Sequence, residues 1–185
     1  EGMKEGENIL DRLHEMVRII EEYGSTDKGR HLIVEKLNQI APKENFILKQ
    51  VAHLKDLSQK IEDFDIRSFK ELQTRWNKVP DKEKDIVREE ILLEKNKIVT
   101  ERNLKEMEDS IIRNDNDFRY CLGMAVDSLK SNQPQQARDW ILKAIRCEEI
   151  ATTIFKNMKD IEDRLLKLTK REIKTIKKEM NDEKG

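Results

Sequence analysis

Residues 140–168 read WILKAIRCEEIATTIFKNMKDIEDRLLKL, and in them Trp140, Ala144, Cys147, Ala151, Ile154, Met158, Ile161, Leu165 and Leu168 recur at alternating steps of four and three. An apolar period of about 3.5 residues keeps one stripe of an α-helix against a neighbour when the two lie side by side with a slight left-handed supercoil. The stretch therefore specifies a long packed helix. Its seam begins small, at Ala144, Cys147 and Ala151, and becomes large from Ile154 onward, so the paired axes are expected to run close at first and wider further along.

Toward the C-terminus the register slips. Glu172 and Thr175 occupy the next in-phase positions, while Ile173, Ile176 and Met180 lie one residue later, so residues beyond about 170 are expected to project or fray. Toward the N-terminus, Pro134 suits the first turn of the helix, after a tight connection through Ser131, Asn132 and Gln133. A helix from 134 to about 180 is predicted, roughly 70 Å long.

The rest of the chain repeats the theme. Ile9, Leu13, Met16, Ile20 and Tyr23 keep the same spacing and stop at Gly24, which predicts a helix over 4–23 closed by a left-handed glycine. Thr26 and Asp27 offer capping oxygens to a second helix, 28–40, that ends before Pro42 because the residue preceding a proline disfavours the helical region. From Pro42 to about Asp63 a third helix is expected, its apolar stripe traced by Phe46, Ile47, Val51, Leu54, Leu57, Ile61 and Phe64. The run 63–68 is expected to turn the chain before a short helix bearing Phe69, Leu72 and Trp76. Pro80 then precedes an acidic helix, 81–113, whose apolar positions Ile86, Val87, Ile91, Leu93, Ile98, Leu104, Met107 and Ile111 make a stripe broad enough for two neighbours. Asn114, Asp115, Asn116 and Asp117 read as a polar break, followed by an amphipathic helix of about 15 residues through Phe118, Cys121, Leu122, Ala125 and Leu129.

Composition favours the same class. Charged residues make up 41% and aromatics 5%, with only 6 glycines and 3 prolines, a profile of long solvated helices more than of a mixed fold. The expected fold is all-α, an elongated helical bundle with long coiled-coil-like helices, divided into an N-terminal helical hairpin region, 1–65, and a C-terminal three-helix unit with a long final helix, 66–185. Leu122-Gly123, then Ala137, Ile141 and Ala144 across a short turn, is similar to the hairpin of a tetratricopeptide unit over about 30 residues. Such units need neighbours to bury a continuous core, and this one occurs once, so the resemblance implies no more than a helical hairpin here.

Charge excludes little at long range. With 37 basic against 38 acidic residues the net charge is -1, so nothing at whole-chain level steers the protein to nucleic acid or to an anionic membrane. No stretch of apolar residues is long enough to span a bilayer, and the first 15 residues carry acidic groups and no signal-type apolar core. Glu1 and Gly2 ahead of Met3 read as a cloning remnant or as part of a longer chain. Two cysteines, one of them on the seam where a thiol acts as a small hydrophobe, suggest a reducing, cytoplasmic setting.

Chemistry-bearing constellations are weak. His14, His31 and His53 lie on separate predicted helices, and Asp11 with His14 lacks the paired Glu-x-x-His motifs of a di-iron bundle, so no metal or cofactor is expected. Glu89-Glu90 and Glu148-Glu149 are adjacent on helices and point in different directions, unlike an acid/base dyad. Phosphate-cradling glycine loops, nucleophile elbows and zinc spacings do not occur. No catalytic residue is nominated and the chain is read as a non-enzyme. The expected function is that of an adaptor, spacer or assembly subunit, binding a protein partner or a second copy of itself. The seam residues Ile154, Met158, Ile161, Leu165 and Leu168 would serve as the partner face once the short preceding helix runs out.

The rival reading rests on a local charge imbalance. From Lys156 to Lys178 there are nine basic residues against four acidic, whereas 81–109 has seven against ten. Complementary helices account for this, with Asp160/Arg164 and Asp163/Lys167 as i,i+4 pairs. The sharper alternative is an anion-binding strip, Lys167, Lys170, Arg171, Lys174, Lys177 and Lys178, for nucleic acid or an anionic surface, though no aromatic after Phe155 is present to stack on a base.

Overall fold

In chain order the helices are α1 (Gly2–Tyr23), α2 (Asp27–Asn38), α3 (Phe46–Glu62), α4 (Asp81–Ile98), α5 (Glu101–Lys130) and α6 (Pro134–Lys184). The computed structural model describes residues 2–40, 46–63 and 77–184, and side-chain surroundings for 9–40, 47–63 and 77–168. The fold is all-α, with no strand among the described residues. The expected turn at 64–68, the cut between regions placed there, and the short helix around Leu72 lie outside the described residues.

Local chemistry explains the helix ends. Thr26 joins α1 to α2 with one hydroxyl: its Oγ1 donates to the Tyr23 carbonyl at 2.8 Å and accepts from the Gly29 N–H at 3.0 Å, satisfying an orphan group of each helix. Gly24 keeps a negative φ, contrary to the left-handed closure expected of it. Its missing Cβ matters for space instead, since a Cβ there would stand 2.4 Å from the Ile20 carbonyl oxygen. Among the described residues the left-handed one is Asn132 (φ 57), at the end of α5. There Asn132 N–H donates to Leu129 O at 3.1 Å and Gln133 N–H to Ser128 O at 2.8 Å, the paired bonds of a Schellman motif, with Pro134 opening α6 directly after.

One predicted boundary moves by 15 residues. The expected helix 81–113 is two helices, broken at Val99, which is extended (φ -158, ψ 142). Thr100 restarts the chain: its Oγ1 accepts from Asn103 N–H at 3.1 Å, and its carbonyl takes the first intrahelical bond of α5 from Leu104. The expected break at Asn114–Asp117 is continuous helix. Asn114 is not free to cap because its Nδ2 donates to the Cys147 carbonyl of α6 at 2.9 Å, and Asp115 pairs with Arg119 one turn on at 3.1 Å.

Two compact units result, each discontinuous along the chain: Glu1–Leu48 with Asp109–Phe155, and Lys49–Glu108 with Lys156–Gly185. In the first, Ile9, Leu13, Met16 and Ile20 of α1 and Ile33 and Leu37 of α2 close a core against Phe118, Cys121, Ala125 and Leu129 of α5 and Ala137, Ile141, Ala144 and Ile145 of α6. Each large aliphatic so buried contributes about 1.5–3 kcal/mol. Lys36–Glu15 (3.4 Å) and Arg138–Glu21 (2.9 Å) add ion pairs at its rim. In the second unit, α3 buries Val51, Leu54, Leu57 and Ile61, α4 buries Val87 and Ile91, and α6 buries Met158, Leu165 and Leu168.

Candidate interaction surfaces

The seam of α6 is spent largely inside the protein. Met158, Leu165 and Leu168 are buried, and Ile154 and Ile161 are half-buried. The helix before α6, expected to be about 15 residues long, is 30 residues long and extends back to Glu101. In addition α3 lies along this stretch of α6: Gln50 Nε2 donates to Glu162 Oε2, and His53 Nε2 stands 3.4 Å from Glu162 Oε1. Burial pushes the Glu162 carboxyl up, but the Gln50 hydrogen bond and the Lys159 and His53 side chains outweigh it and hold it below its ordinary value. Polar pairing therefore closes what periodicity alone left open.

Apolar side chains surface elsewhere. Ile86 and Leu93 on α4 are 52% and 53% exposed, although both belong to the broad stripe expected to face two neighbours. Seven residues apart, they share one face two turns long. The buried stripe of α4 is instead Glu83, Val87, Ile91 and Lys95. Lys95, 1% exposed, carries its ammonium to Glu62 of α3, whose side chain is 41% exposed. Alternation of sign thus fails as a guide to facing here, since a charged residue at each end of the stripe is inside and two aliphatics are outside.

A second exposed patch lies on the first unit. Tyr120, 61% exposed, meets Trp140 edge to face with ring centroids 5.6 Å apart, and Lys143 Nζ sits 4.3 Å from the Trp140 ring centre. Ile112, Leu142 and Ile150 on the same two helices are also exposed, as is Tyr23, which was expected to extend the α1 seam.

The remaining candidates are dispersed. His14 is exposed, His31 faces Glu35 at 3.8 Å on the surface of α2, and His53 belongs to the Glu162 network. Among the described residues no group of three or more His, Cys, Asp or Glu is placed to hold a metal ion, and no helix is long and apolar enough to cross a membrane. Of the basic strip, Lys167 is exposed, and Lys170, Arg171, Lys174, Lys177 and Lys178 lie on the last turns of α6, which stays helical to Lys184. Neither a protein-family model, nor a curated protein, nor a solved structure matches the chain.

Proposed function

We propose that the chain is a non-enzymatic helical adaptor, spacer or assembly subunit, acting through helix faces on a protein partner, a second copy of itself included. The observation that carries the reading is the pair Ile86 and Leu93, two aliphatics each more than half exposed at heptad spacing on one face of α4. Scattered single apolar residues are ordinary on a protein surface, whereas a repeat along one face has the form of a helix-docking stripe. The Tyr120–Trp140 pair supports the same class, since Tyr and Trp dominate the energetic centres of protein interfaces. The seam from Ile154 to Leu168 then serves chiefly to build the fold. Free Cys121 and Cys147 accord with a cytoplasmic setting.

Sedimentation equilibrium of the full chain and of Ile86→Asp/Leu93→Asp tests this. Concentration-dependent association that weakens at least tenfold in the double variant supports the reading. A full chain monomeric at every concentration rejects self-association. Cross-linking in the native cell then tests a different protein partner, and a contact that survives the double substitution rejects α4 as its face.

A second reading is favoured by the basic strip. Lys167, Lys170, Arg171, Lys174, Lys177 and Lys178 recur every three or four residues on continuous helix, so they occupy one broad stripe of α6. Binding to nucleic acid there would be electrostatic, with log affinity falling against log salt by roughly 0.9 per duplex phosphate contact. Absence of binding to duplex, single strand and anionic vesicles at low salt removes this reading.

A further inference from the structure

Cys121 of α5 and Cys147 of α6 both belong to the core of the first unit, Cys121 buried and Cys147 half-buried against it. Their helices form an antiparallel hairpin closed by the Schellman turn at Asn132, and the Asn114 bond to the Cys147 carbonyl fixes its register. Side chains on a helix lean toward its own N-terminus. In this antiparallel pair Cys121 leans toward the level of Asp117 and Cys147 toward that of Ala144, so the two converge. Ala125, one turn beyond Cys121, and Ala144, one turn before Cys147, are wholly buried, and residues this small let the axes approach closely.

We propose that Cys121 and Cys147 are an oxidisable dithiol that closes to an intramolecular disulfide under hydrogen peroxide, stapling α5 to α6 within the first unit. Cys147, the less buried of the two residues, reacts first. Its sulfur attacks one peroxide oxygen, the O–O bond breaks, and sulfenic acid and one water result. The Cys121 sulfur then attacks the sulfenic sulfur, and the displaced oxygen leaves with the Cys121 proton as a second water. One S–S bond replaces two S–H bonds, and the peroxide takes up the two electrons.

Burial pushes both thiols up. Cys147 reaches about 11, with Cys121, Asp117 and Glu148 adding to the shift, and on Cys121 Lys143 only partly offsets burial. The thiolate is accordingly scarce near neutral pH, so the staple answers strong or prolonged oxidation and is no fast sensor.

The test is peroxide treatment of the full chain at pH 7, 8 and 9, followed by unfolding, alkylation and intact-mass and peptide analysis, with circular dichroism recorded in parallel. The expected result is loss of two hydrogens and protection of both cysteines from alkylation, at a rate rising about tenfold per pH unit while the helical signal holds. Cys121→Ser is expected to divert Cys147 to sulfinic acid, and Cys147→Ser to leave Cys121 reduced. Chains linked to one another through Cys147, sulfinic acid on wild-type Cys147 beside an alkylatable Cys121, or a disulfide that appears only as helix is lost, would each overturn the proposal. Two thiols untouched after hours at pH 9 would do the same.

Discussion

Lys95 and Glu62 make an unequal pair, and the inequality predicts which substitution hurts. The Lys95 side chain is 1% exposed and the Glu62 side chain 41%. Removing the carboxylate leaves a buried ammonium without its acceptor, a loss of about 2 kcal/mol by the range for charged hydrogen bonds and buried pairs, reduced here because water reaches the Glu62 position. Removing the ammonium leaves a carboxylate that water already solvates. Lys95→Met keeps an apolar stem in the buried stripe that also holds Val87 and Ile91 while abolishing the desolvation of the charge, so its effect is expected within about 1 kcal/mol of zero or stabilising. In Lys95→Met/Glu62→Ala the Glu62 change should then cost almost nothing, a coupling of about 2 kcal/mol. Urea unfolding of the four proteins at neutral pH measures the cycle. The reasoning is refuted if Lys95→Met costs more than Glu62→Ala, or if the two changes add, because either result means that packing and not the paired charge is what Glu62 supplies.

Glycine substitutions should act in opposite directions at two helical sites. Gly123→Ala meets nothing within 4 Å and removes a flexible residue from exposed helix, so thermal unfolding should show a gain of about 1 kcal/mol. Gly29→Ala would set a Cβ 2.2 Å from the Tyr23 carbonyl oxygen and 2.8 Å from the Thr26 hydroxyl, so the α1–α2 corner must shift and the melting temperature should fall despite the better helix former. Glu162 gives a pH dependence: its carboxyl is held below its ordinary value of 4.5 in the folded state, so its stabilisation is full above that value and disappears as pH falls through the lower, folded one. The stability gap between the wild-type chain and Glu162→Gln should therefore narrow on acidification, and a gap constant from neutral pH to pH 3 would contradict the Gln50 and His53 network as its source.

The class of fold and most of its punctuation are legible in the order of residues alone. The period of three and four specifies helices wherever it is sustained, and short-range chemistry places their ends: Thr26 reaches only three residues, and Pro134 acts on its own turn. The same periodicity correctly marked Leu13, Met16, Ala144, Met158 and Leu165 as interior positions, while Ile141, which is absent from that seam, is equally buried. Tertiary structure decided what spacing leaves degenerate. Asn114 has the chemistry of a cap, but the nearby Cys147 carbonyl claims its amide, so helix continues there and breaks at Val99 instead. Which face of α4 turns inward depended on a partner 33 positions away in the chain: Glu62 makes buried Lys95 tolerable, and Ile86 and Leu93 are left outside as a consequence. The thiol pair depended likewise on the register of one hairpin. Periodicity fixes the phase of a stripe along its own helix, whereas which stripe is covered, and by which charge, is a property of the neighbours that the chain brings back to it.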